Sequence, residues 1–316
     1  MENNKKRIII IDSNSVIHRA YHALPPLSLK TGEVVGAVYG FLLVFFKAIK
    51  DFNPDFVAAC FDFPAPTFRH QKYKQYKAKR PPAPEDLYSQ IPRVKEFLAA
   101  FGVPVFEKEK FEADDIIGTI ARLAPKKQAF PKIESIILSG DLDALQLVDE
   151  QTKVFALRKG VKDVVLYDKE STKEKFQGLV PGQLLDYKAL RGDASDNIPG
   201  VTGIGEKTTI DLLLRFGSLD NIYREIEKKS EKADKIKPKT KELLLKYKEQ
   251  ALLSRQLAKI ETNVPIEFNL KDCRWGIFDK KKVTDLLESF QFYSLADRIP
   301  GGEKKEKPVG ENLKLW

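Results

Sequence analysis

Acidic side chains recur where the apolar segments of this sequence end. Asp12 closes the run RIIIID, and Asp62 closes DFVAACFD. Asp141 closes SIILSGD, and Asp143 follows two residues later. In an open parallel sheet, the carboxyl ends of the strands meet at one edge, and ligands bind just beyond it. We therefore expect these carboxylates to converge.

Two further segments add acids that could reach the same edge. The segment EADDIIGTIARL (112–123) opens with acids at the positive end of a predicted helix, and positions 112 and 115 share a face at i, i+3. The turn GDASDN (192–197) adds two more, again three residues apart. The candidate metal ligands are nine carboxylates: Asp12, Asp62, Glu112, Asp114, Asp115, Asp141, Asp143, Asp193 and Asp196.

So many negative charges cannot share a small site unless cations neutralise them. Oxygen ligands without His or Cys select hard cations, Mg²⁺ or Mn²⁺, and two such ions about 4 Å apart can clamp the oxygens of a phosphodiester during hydrolysis. The chain has only three His, all before residue 71, and two Cys, which disfavours a His-based or zinc centre. A single Asp at a strand end is more often a turn former or helix cap. The metal-site prediction therefore depends on the recurrence of acids at several strand ends.

A basic segment, FRHQKYKQYKAKR (68–80), follows soon after Asp62 and contains no acid. Cations contact phosphates and aromatic rings stack on bases, which is the combination used for single-stranded nucleic acid. The simpler alternative is a solvated basic helix. We expect charge stabilisation at a scissile phosphate from Arg69, Lys77 and Arg80. The expected DNA contacts of the segment are Lys72, Lys74, Tyr76 and Lys79.

A glycine-rich turn, IPGVTGIGEKT (198–208), leads into another predicted helix. Gly203 and Gly205 would bring bare backbone N–H groups close to a phosphate at the helix N-terminus, with Lys207 beside it. A tight packing turn is the alternative. The position directly after the 192–197 turn favours nucleic-acid binding.

The elements that must position these residues alternate between strand and helix over about 180 residues. Apolar runs at 7–12, 55–62 and 135–141, with short ones at 153–157 and 164–167, predict strands; helical spacing covers 36–49, 92–101 and 112–123. This alternation predicts an α/β fold with a mainly parallel central sheet flanked by helices. Beyond residue 180 we expect helices at 183–190 and 207–216, and a solvated helix pair broken at Pro238.

Composition excludes several other classes. The 316 residues carry 54 Lys and Arg against 45 Asp and Glu, a net charge of +9, and 42% are hydrophobic, enough for a core. No apolar run approaches the roughly 20 residues of a membrane span, and we expect a cytoplasmic protein with no membrane partner. Ser13, Asn14 and Ser15 follow the first strand, so the dinucleotide-binding pattern is missing there, and the P-loop pattern does not occur.

Six segments together resemble the 5′-nuclease domain of bacterial DNA polymerase I and the related stand-alone flap endonucleases. They follow the family's order over residues 7 to 300. The segments are IDSNSVIHRAYHAL (11–24), GAVYGF (36–41), FDFPAPTFRHQKYKQYKAKRPPAPEDL (61–87), FEADDIIGTIA (111–121), LSGDLDALQLV (138–148) and RGDASDNIPGVTGIGEKT (191–208).

The resemblance implies a PIN-like 5′-nuclease fold in three parts. These are a catalytic domain over 1–180 with a helical arch at about 66–92, a helix-hairpin-helix DNA-binding subdomain over 181–300, and a tail or linker over 301–316. It also implies two Mg²⁺ (or Mn²⁺) ions. The first would be held by Asp12, Asp62, Glu112 and Asp114; the second by Asp143, Asp193 and Asp196, with Asp115 and Asp141 between or behind them.

Further site residues follow from the same resemblance. Lys77 and Arg80 match the catalytic cations of the arch. Backbone carbonyls of the hairpin could hold K⁺ against a duplex phosphate; by position they belong to Leu190, Arg191, Pro199, Val201 and Ile204.

The implied function is a structure-specific 5′ nuclease, both 5′→3′ exonuclease and 5′-flap endonuclease, acting in DNA replication and repair. The expected partners are DNA with a 5′ flap or nick and RNA primer–DNA junctions, bound by a monomer near the bacterial nucleoid. We expect the chain to be the N-terminal part of a DNA polymerase I, with a polymerase domain following. The alternatives are a stand-alone flap endonuclease, a catalytically silent DNA-binding module, and a small PIN-like RNase.

Overall fold

The computed structural model describes residues 5–126 and 133–299, and the predicted tail at 301–316 lies outside these ranges. A six-stranded sheet in the order β3-β2-β1-β4-β5-β6 forms its centre. All neighbouring pairs are parallel except β5 and β6, which are antiparallel, so the predicted mainly parallel sheet is confirmed. The strands are β1 (Lys6–Asp12), β2 (Phe56–Cys60), β3 (Val105–Phe106), β4 (Ile133–Ser139), β5 (Thr152–Leu157) and β6 (Val164–Tyr167).

Helices pack against both faces of this sheet. Up to residue 177 they are α1 (Ser13–Ala23), α2 (Gly36–Phe52), α3 (Phe68–Lys72), α4 (Glu85–Tyr88), α5 (Ile91–Ala100), α6 (Ala113–Leu123) and α7 (Lys169–Lys175). They continue with α8 (Leu184–Arg191), α9 (Glu206–Phe216), α10 (Leu219–Glu227), α11 (Glu231–Asp234), α12 (Pro238–Lys246), α13 (Lys248–Ala258), α14 (Lys280–Ser289) and α15 (Tyr293–Ala296). Short 3₁₀ turns occur at Ala124–Lys126, Asp143–Leu147, Pro181–Gln183 and Leu270–Cys273.

The central strand β1 divides the interior into two hydrophobic cores. Successive side chains of a strand point to opposite faces, so Ile8 and Ile10 enter one core while Ile9 and Ile11 enter the other. The first core continues through α6 into α8, α9 and α10. The second contains α1, α2, α5, α14 and α15. Both faces of β1 are buried, which explains its unbroken isoleucine run.

The C-terminal residues return to the sheet after α13. Trp275 N donates to Asp55 O at 2.9 Å, and Arg274 forms an isolated bridge with Phe56 at the start of β2. After α14, Phe292 stacks on Phe97 of α5, and Phe290 meets the same ring edge to face. Residues from about 274 onward therefore pack against the α/β part, a placement that the predicted division at residues 180 and 181 does not describe.

The arch segment is less helical than expected. Within 66–92 only α3, α4 and the first two residues of α5 are helical, and turns connect α3 to α4. Lys77 has a positive φ of 55°, and Pro81, Pro82 and Pro84 lack the N–H that a helix needs. Pro238 begins α12, a position where its fixed φ suits the first helical turn, so the predicted break there is confirmed.

No helix in the described ranges is long and apolar enough to cross a membrane.

Candidate active site

The ends of β1, β2 and β4 bring the carboxylates of Asp12, Asp62 and Asp141 into one cleft, as the sequence predicts. Hydrogen bonds hold the first two in place. Asp12 is the last residue of β1 and accepts from Ser139 Oγ, at the end of β4, at 2.6 Å. Its other oxygen accepts from Ser15 N at 3.2 Å and so caps α1. Asp62 follows β2 and accepts from Ala113 N, at the start of α6, at 2.8 Å. Hydrogen bonds to neighbouring elements therefore fix the orientation of both carboxylates.

One cleft of about 380 Å³ collects these acids with others from α6 and from the 192–197 turn. Glu112 precedes α6, and Asp114 lies in the first turn of that helix. Two arch cations, Lys77 and Arg80, lie in the same cleft. Its carboxylates are Asp12, Asp62, Glu112, Asp114, Asp141 and Asp196.

The acids of the cleft repel one another in a poorly solvated space. Burial raises the pKa of Asp12 to about 6, against hydrogen bonds from Ser139 and Ser15, and the charges of Asp62 and Asp141 raise it further. Burial likewise raises the pKa of Asp114 well above its ordinary value, together with the Asp12 and Asp141 charges. A divalent cation would relieve this repulsion, so the all-oxygen donor set fits a hard metal ion.

The arch cations contact the carboxylates directly. Lys77 Nζ lies 3.0 Å from Glu112 Oε1, and its backbone N donates to Asp196 O at 2.9 Å. Arg80 pairs with Asp196 and donates through Nε to Ser195 O at 3.2 Å. Both cations therefore lie inside the cleft, paired with its acids.

A second group lies in an adjoining cavity of about 210 Å³. Lys188 of α8 contacts Asp143 and lies 2.6 Å from Asp193 Oδ2. Burial raises the pKa of Asp143 to about 7, and the neighbouring Asp141 adds to this effect. Burial also raises the pKa of Asp193, but the charge and hydrogen bond of Lys188 outweigh it and bring that pKa to about 2. The same ammonium also lowers the pKa of Asp143, but desolvation and the charge of Asp141 outweigh its effect there.

Arg69, a predicted catalytic cation, and Asp115, a predicted metal ligand, form an ion pair with each other. Arg69 and Asp115 form two N–O contacts of 2.7 Å, and both are buried. Asp115 also accepts from Glu112 N at 3.0 Å and from Glu261 N at 2.8 Å. Since both of its oxygens are fully engaged, the structure argues against Asp115 as a metal ligand and against Arg69 as a free catalytic cation.

Tyr76 is also placed differently from its prediction. It is 3% exposed, and its hydroxyl lies 3.1 Å from both Glu112 Oε2 and Asp196 Oδ2. Its ring is therefore not free to stack on a DNA base. Lys72, Lys74 and Lys79 of the same segment are exposed and therefore accessible to DNA. Their contacts with DNA stay a prediction.

The glycine-rich turn forms a hairpin between α8 and α9. Asp193 and Ile198 exchange two backbone hydrogen bonds of 2.8 Å, and Gly200 N donates to Ser254 Oγ of α13 at 3.0 Å. Gly203, Gly205 and Lys207 are exposed beyond it. Among the five predicted K⁺ carbonyls, Leu190 O accepts from Val201 N and Val201 O accepts from Ile204 N, so each keeps one lone pair. The carbonyls of Arg191, Pro199 and Ile204 complete that set, which stays a prediction.

One wall of the cleft was not predicted from the sequence. Asn14, His18 and His22 of α1 line it together with Arg19. Burial lowers the pKa of His18. The spacing of residues 14, 18 and 22 at i, i+4 after a strand-end Asp was a signal for this helix face. Lys188 was also overlooked, since nothing local sets it apart from other helical lysines.

In residues 5–126 and 133–299, no group of three or more His, Cys, Asp or Glu side chains is already arranged to hold a metal ion. Lys77, Arg80 and Lys188 each hold one or two of the carboxylates in an ion pair. A metal ion bound to Glu112, Asp196, Asp143 or Asp193 would therefore require these ion pairs to rearrange.

Two family descriptions match consecutive parts of the chain. The 5′-3′ exonuclease N-terminal resolvase-like domain matches residues 7–177, and the 5′-3′ exonuclease C-terminal SAM fold matches residues 179–281. The relatives include DNA polymerase I of Bacillus subtilis (strain 168), 40% identical over 309 residues, and that of Bacillus caldotenax, 39% identical over 309 residues. These alignments cover 98% and 97% of this chain but 34% of each relative, so the chain spans about a third of their length.

Solved structures share the fold at low sequence identity. The T5 5′-exonuclease with bound zinc superposes with a TM-score of 0.64 at 19% identity, covering 93% of this chain and 100% of that one. The catalytic core of Rad2 in complex with DNA substrate gives a TM-score of 0.56 at 18% identity, covering 94% and 92%. The overall fold of this chain therefore follows a known architecture.

Proposed function

The chain belongs to the 5′-3′ exonuclease family, and from this we propose that it is a structure-specific nuclease that cuts DNA at 5′ flaps and nicks. One observation carries the proposal: six carboxylates from three strand ends, one helix start and one turn line a single cleft with two arch cations. A catalytically silent DNA-binding module would need the hairpin and the exposed lysines but not this cleft.

We propose that the cleft and its neighbour hold two Mg²⁺ or Mn²⁺ ions. Asp12, Asp62, Glu112 and Asp114 would hold the first; Asp143, Asp193 and Asp196, with Asp141 between, the second. Bound there, the ions would act as Lewis acids and lower the pKa of water at the scissile phosphate.

The chain's own cations would act on the phosphate that binds at these acids. Lys77 and Arg80 pair with Glu112 and Asp196, so each can transfer its contacts from a carboxylate to an incoming phosphate without moving far. Both would stabilise the negative charge that develops on the phosphate during cleavage. The hairpin would contact the duplex through Gly203, Gly205 and Lys207, and K⁺ on its carbonyls would strengthen that contact.

We further propose that the chain is the N-terminal part of a DNA polymerase I, because the curated relatives extend far beyond the aligned third. Its substrates would then include RNA primer–DNA junctions, processed in the cytoplasm by a monomer. A stand-alone flap endonuclease is the second candidate.

Incubation of the purified protein with a labelled 5′-flap duplex tests the nuclease proposal. We expect product with Mg²⁺ and none with EDTA. Asp196→Ala should abolish cleavage and leave duplex binding largely intact. Retained binding without product from the unaltered protein would instead identify a silent DNA-binding module.

A further inference from the structure

Lys188 joins two carboxylates that belong to different parts of the chain. Its ammonium contacts Asp143 Oδ1 in the 3₁₀ turn after β4 and lies 2.6 Å from Asp193 Oδ2 in the turn after α8. The Lys188 side chain is only 15% exposed. Among the ion pairs of the described ranges, no other cation contacts either carboxylate. Lys188 therefore supplies the positive charge that lets these two acids lie together.

A divalent cation at this pair would need the same oxygens. Mg²⁺ binds carboxylate oxygens at about 2.0–2.1 Å, so its charge would lie within a few ångströms of the ammonium. At that distance in a poorly solvated pocket the repulsion between like charges is strong. The ammonium and the ion cannot both keep full contact with Asp143 and Asp193.

A cavity beside the two carboxylates has room for the Lys188 ammonium after it leaves them. The adjoining cavity of about 210 Å³ is lined by Gln146 and Tyr187 and by four charged residues, since Arg191 lies there in addition to Asp143, Lys188 and Asp193. The lysine stem has four rotatable bonds, so Nζ can move while α8 stays in place.

We propose that Lys188 is a built-in competitor for the second divalent cation. It holds Asp143 and Asp193 together until that ion binds, and it must withdraw when the ion arrives. The second ion consequently binds more weakly than the same carboxylates would otherwise allow. This inference rests on the proposed function, in which the Asp143–Asp193 pair takes part in divalent-ion binding.

Binding of Mn²⁺ alone, without DNA, tests the inference. The variant Lys188→Met keeps the length of the side chain and removes its charge. Lys169→Met is the matched control, because Lys169 pairs with Glu150 on the exposed surface. Lys188→Arg retains the competing charge. Titration calorimetry would give the affinities, and electron paramagnetic resonance of free Mn²⁺ would give the number of bound ions.

We expect Lys188→Met to tighten the weaker Mn²⁺ site about tenfold or more, the scale of removing a like charge from a partly buried site. The tighter site, Lys169→Met and Lys188→Arg should change little. An unchanged or weakened second site in Lys188→Met, with Mn²⁺ binding otherwise intact, would overturn this inference alone. Absence of Mn²⁺ binding in the unaltered protein would overturn the proposed function as well.

Folding of the variant gives a second readout. Without metal, Lys188→Met leaves Asp143 and Asp193 facing each other, so its melting temperature in EDTA should fall, and Mn²⁺ should raise it more than in the unaltered protein. Folding only in the presence of Mn²⁺ would support the proposal. Failure to fold with or without Mn²⁺ would overturn it, because the ion could then not replace the ammonium.

Discussion

Arg69 and Asp115 form a two-point ion pair that joins the start of the arch to helix α6. Both N–O distances are 2.7 Å, and the two side chains are 3% and 0% exposed. Arg69 also donates to Leu257 O at 2.9 Å and to Lys259 O at 2.7 Å, beyond α13. One guanidinium therefore connects three segments beside the cleft, and the pair has a structural role.

Asp115→Asn should destabilise the fold because it leaves the buried Arg69 charge uncompensated. We expect a loss of about 3–5 kcal/mol in the free energy of unfolding, measured by urea denaturation. The control is Asp51→Asn, whose exposed pair with Lys47 should contribute less than about 0.5 kcal/mol. A stable variant that has lost affinity for Mn²⁺ would show instead that Asp115 is a metal ligand.

The variant Tyr76→Phe tests which part of Tyr76 is functional: the hydroxyl, by positioning carboxylates, or the ring, by stacking on bases. The hydroxyl lies between Glu112 and Asp196, whereas the ring is buried. We expect the rate of flap cleavage to fall about tenfold, with the affinity for single-stranded DNA unchanged, since the ring is retained. If Tyr76→Phe cleaves normally while Tyr76→Ala binds DNA poorly, the stacking interpretation is right and ours is wrong.

Lys77→Ala should slow the chemical step far more than it weakens binding. The ammonium lies 3.0 Å from Glu112 Oε1, inside the cleft, and loss of one charge-stabilising group costs about 10²–10³ in kcat. Single-turnover cleavage and DNA affinity should be measured for Lys77→Ala and for Lys79→Ala, an exposed lysine of the same segment. Equal losses in rate and affinity would reduce Lys77 to a simple phosphate contact.

The buried thiol of Cys273 predicts a loss of stability at alkaline pH. Burial, assisted by the charge of Asp272, raises the pKa of Cys273 to about 12 from 9.0. The folded state therefore holds this proton more tightly than the unfolded state. The thiol's contribution to stability is complete below pH 9 and is lost as pH rises from 9 towards 12.

Urea denaturation at pH 8 and pH 10.5 measures this effect. The unaltered protein should lose up to about 2 kcal/mol more between these two pH values than Cys273→Ala does. Parallel losses in both proteins would show that other groups cause the alkaline destabilisation.

The sequence predicted the sheet and the convergence of the acids because both depend on local patterns. Asp12 and Asp62 end apolar strands, and parallel strands place their carboxyl ends at one edge. The partners of Arg69, Tyr76 and Lys188 were not predictable in this way. Arg69 meets Asp115 across 46 residues, and Tyr76 meets Asp196 across 120. Such pairings are set by packing between elements, which single-sequence patterns do not encode.

Gly200 and Gly205 lie in the same hairpin but should respond differently to alanine. Gly200 has a φ of +65°, and an added Cβ would lie 2.2 Å from Gly192 N. Gly200→Ala should therefore cost about 2–4 kcal/mol in the free energy of unfolding, combining left-handed strain and overpacking. Gly205 has a φ of −95°, and its added Cβ would meet nothing within 4 Å.

Gly205→Ala should consequently change stability by less than about 0.5 kcal/mol. It should nevertheless weaken duplex binding several-fold, because a methyl group would hold a phosphate away from the backbone N–H groups before α9. Denaturation and duplex affinity should be measured on both variants. Normal affinity in Gly205→Ala would show that the hairpin is only a packing turn, and a stable Gly200→Ala would contradict the close approach between Gly200 and Gly192.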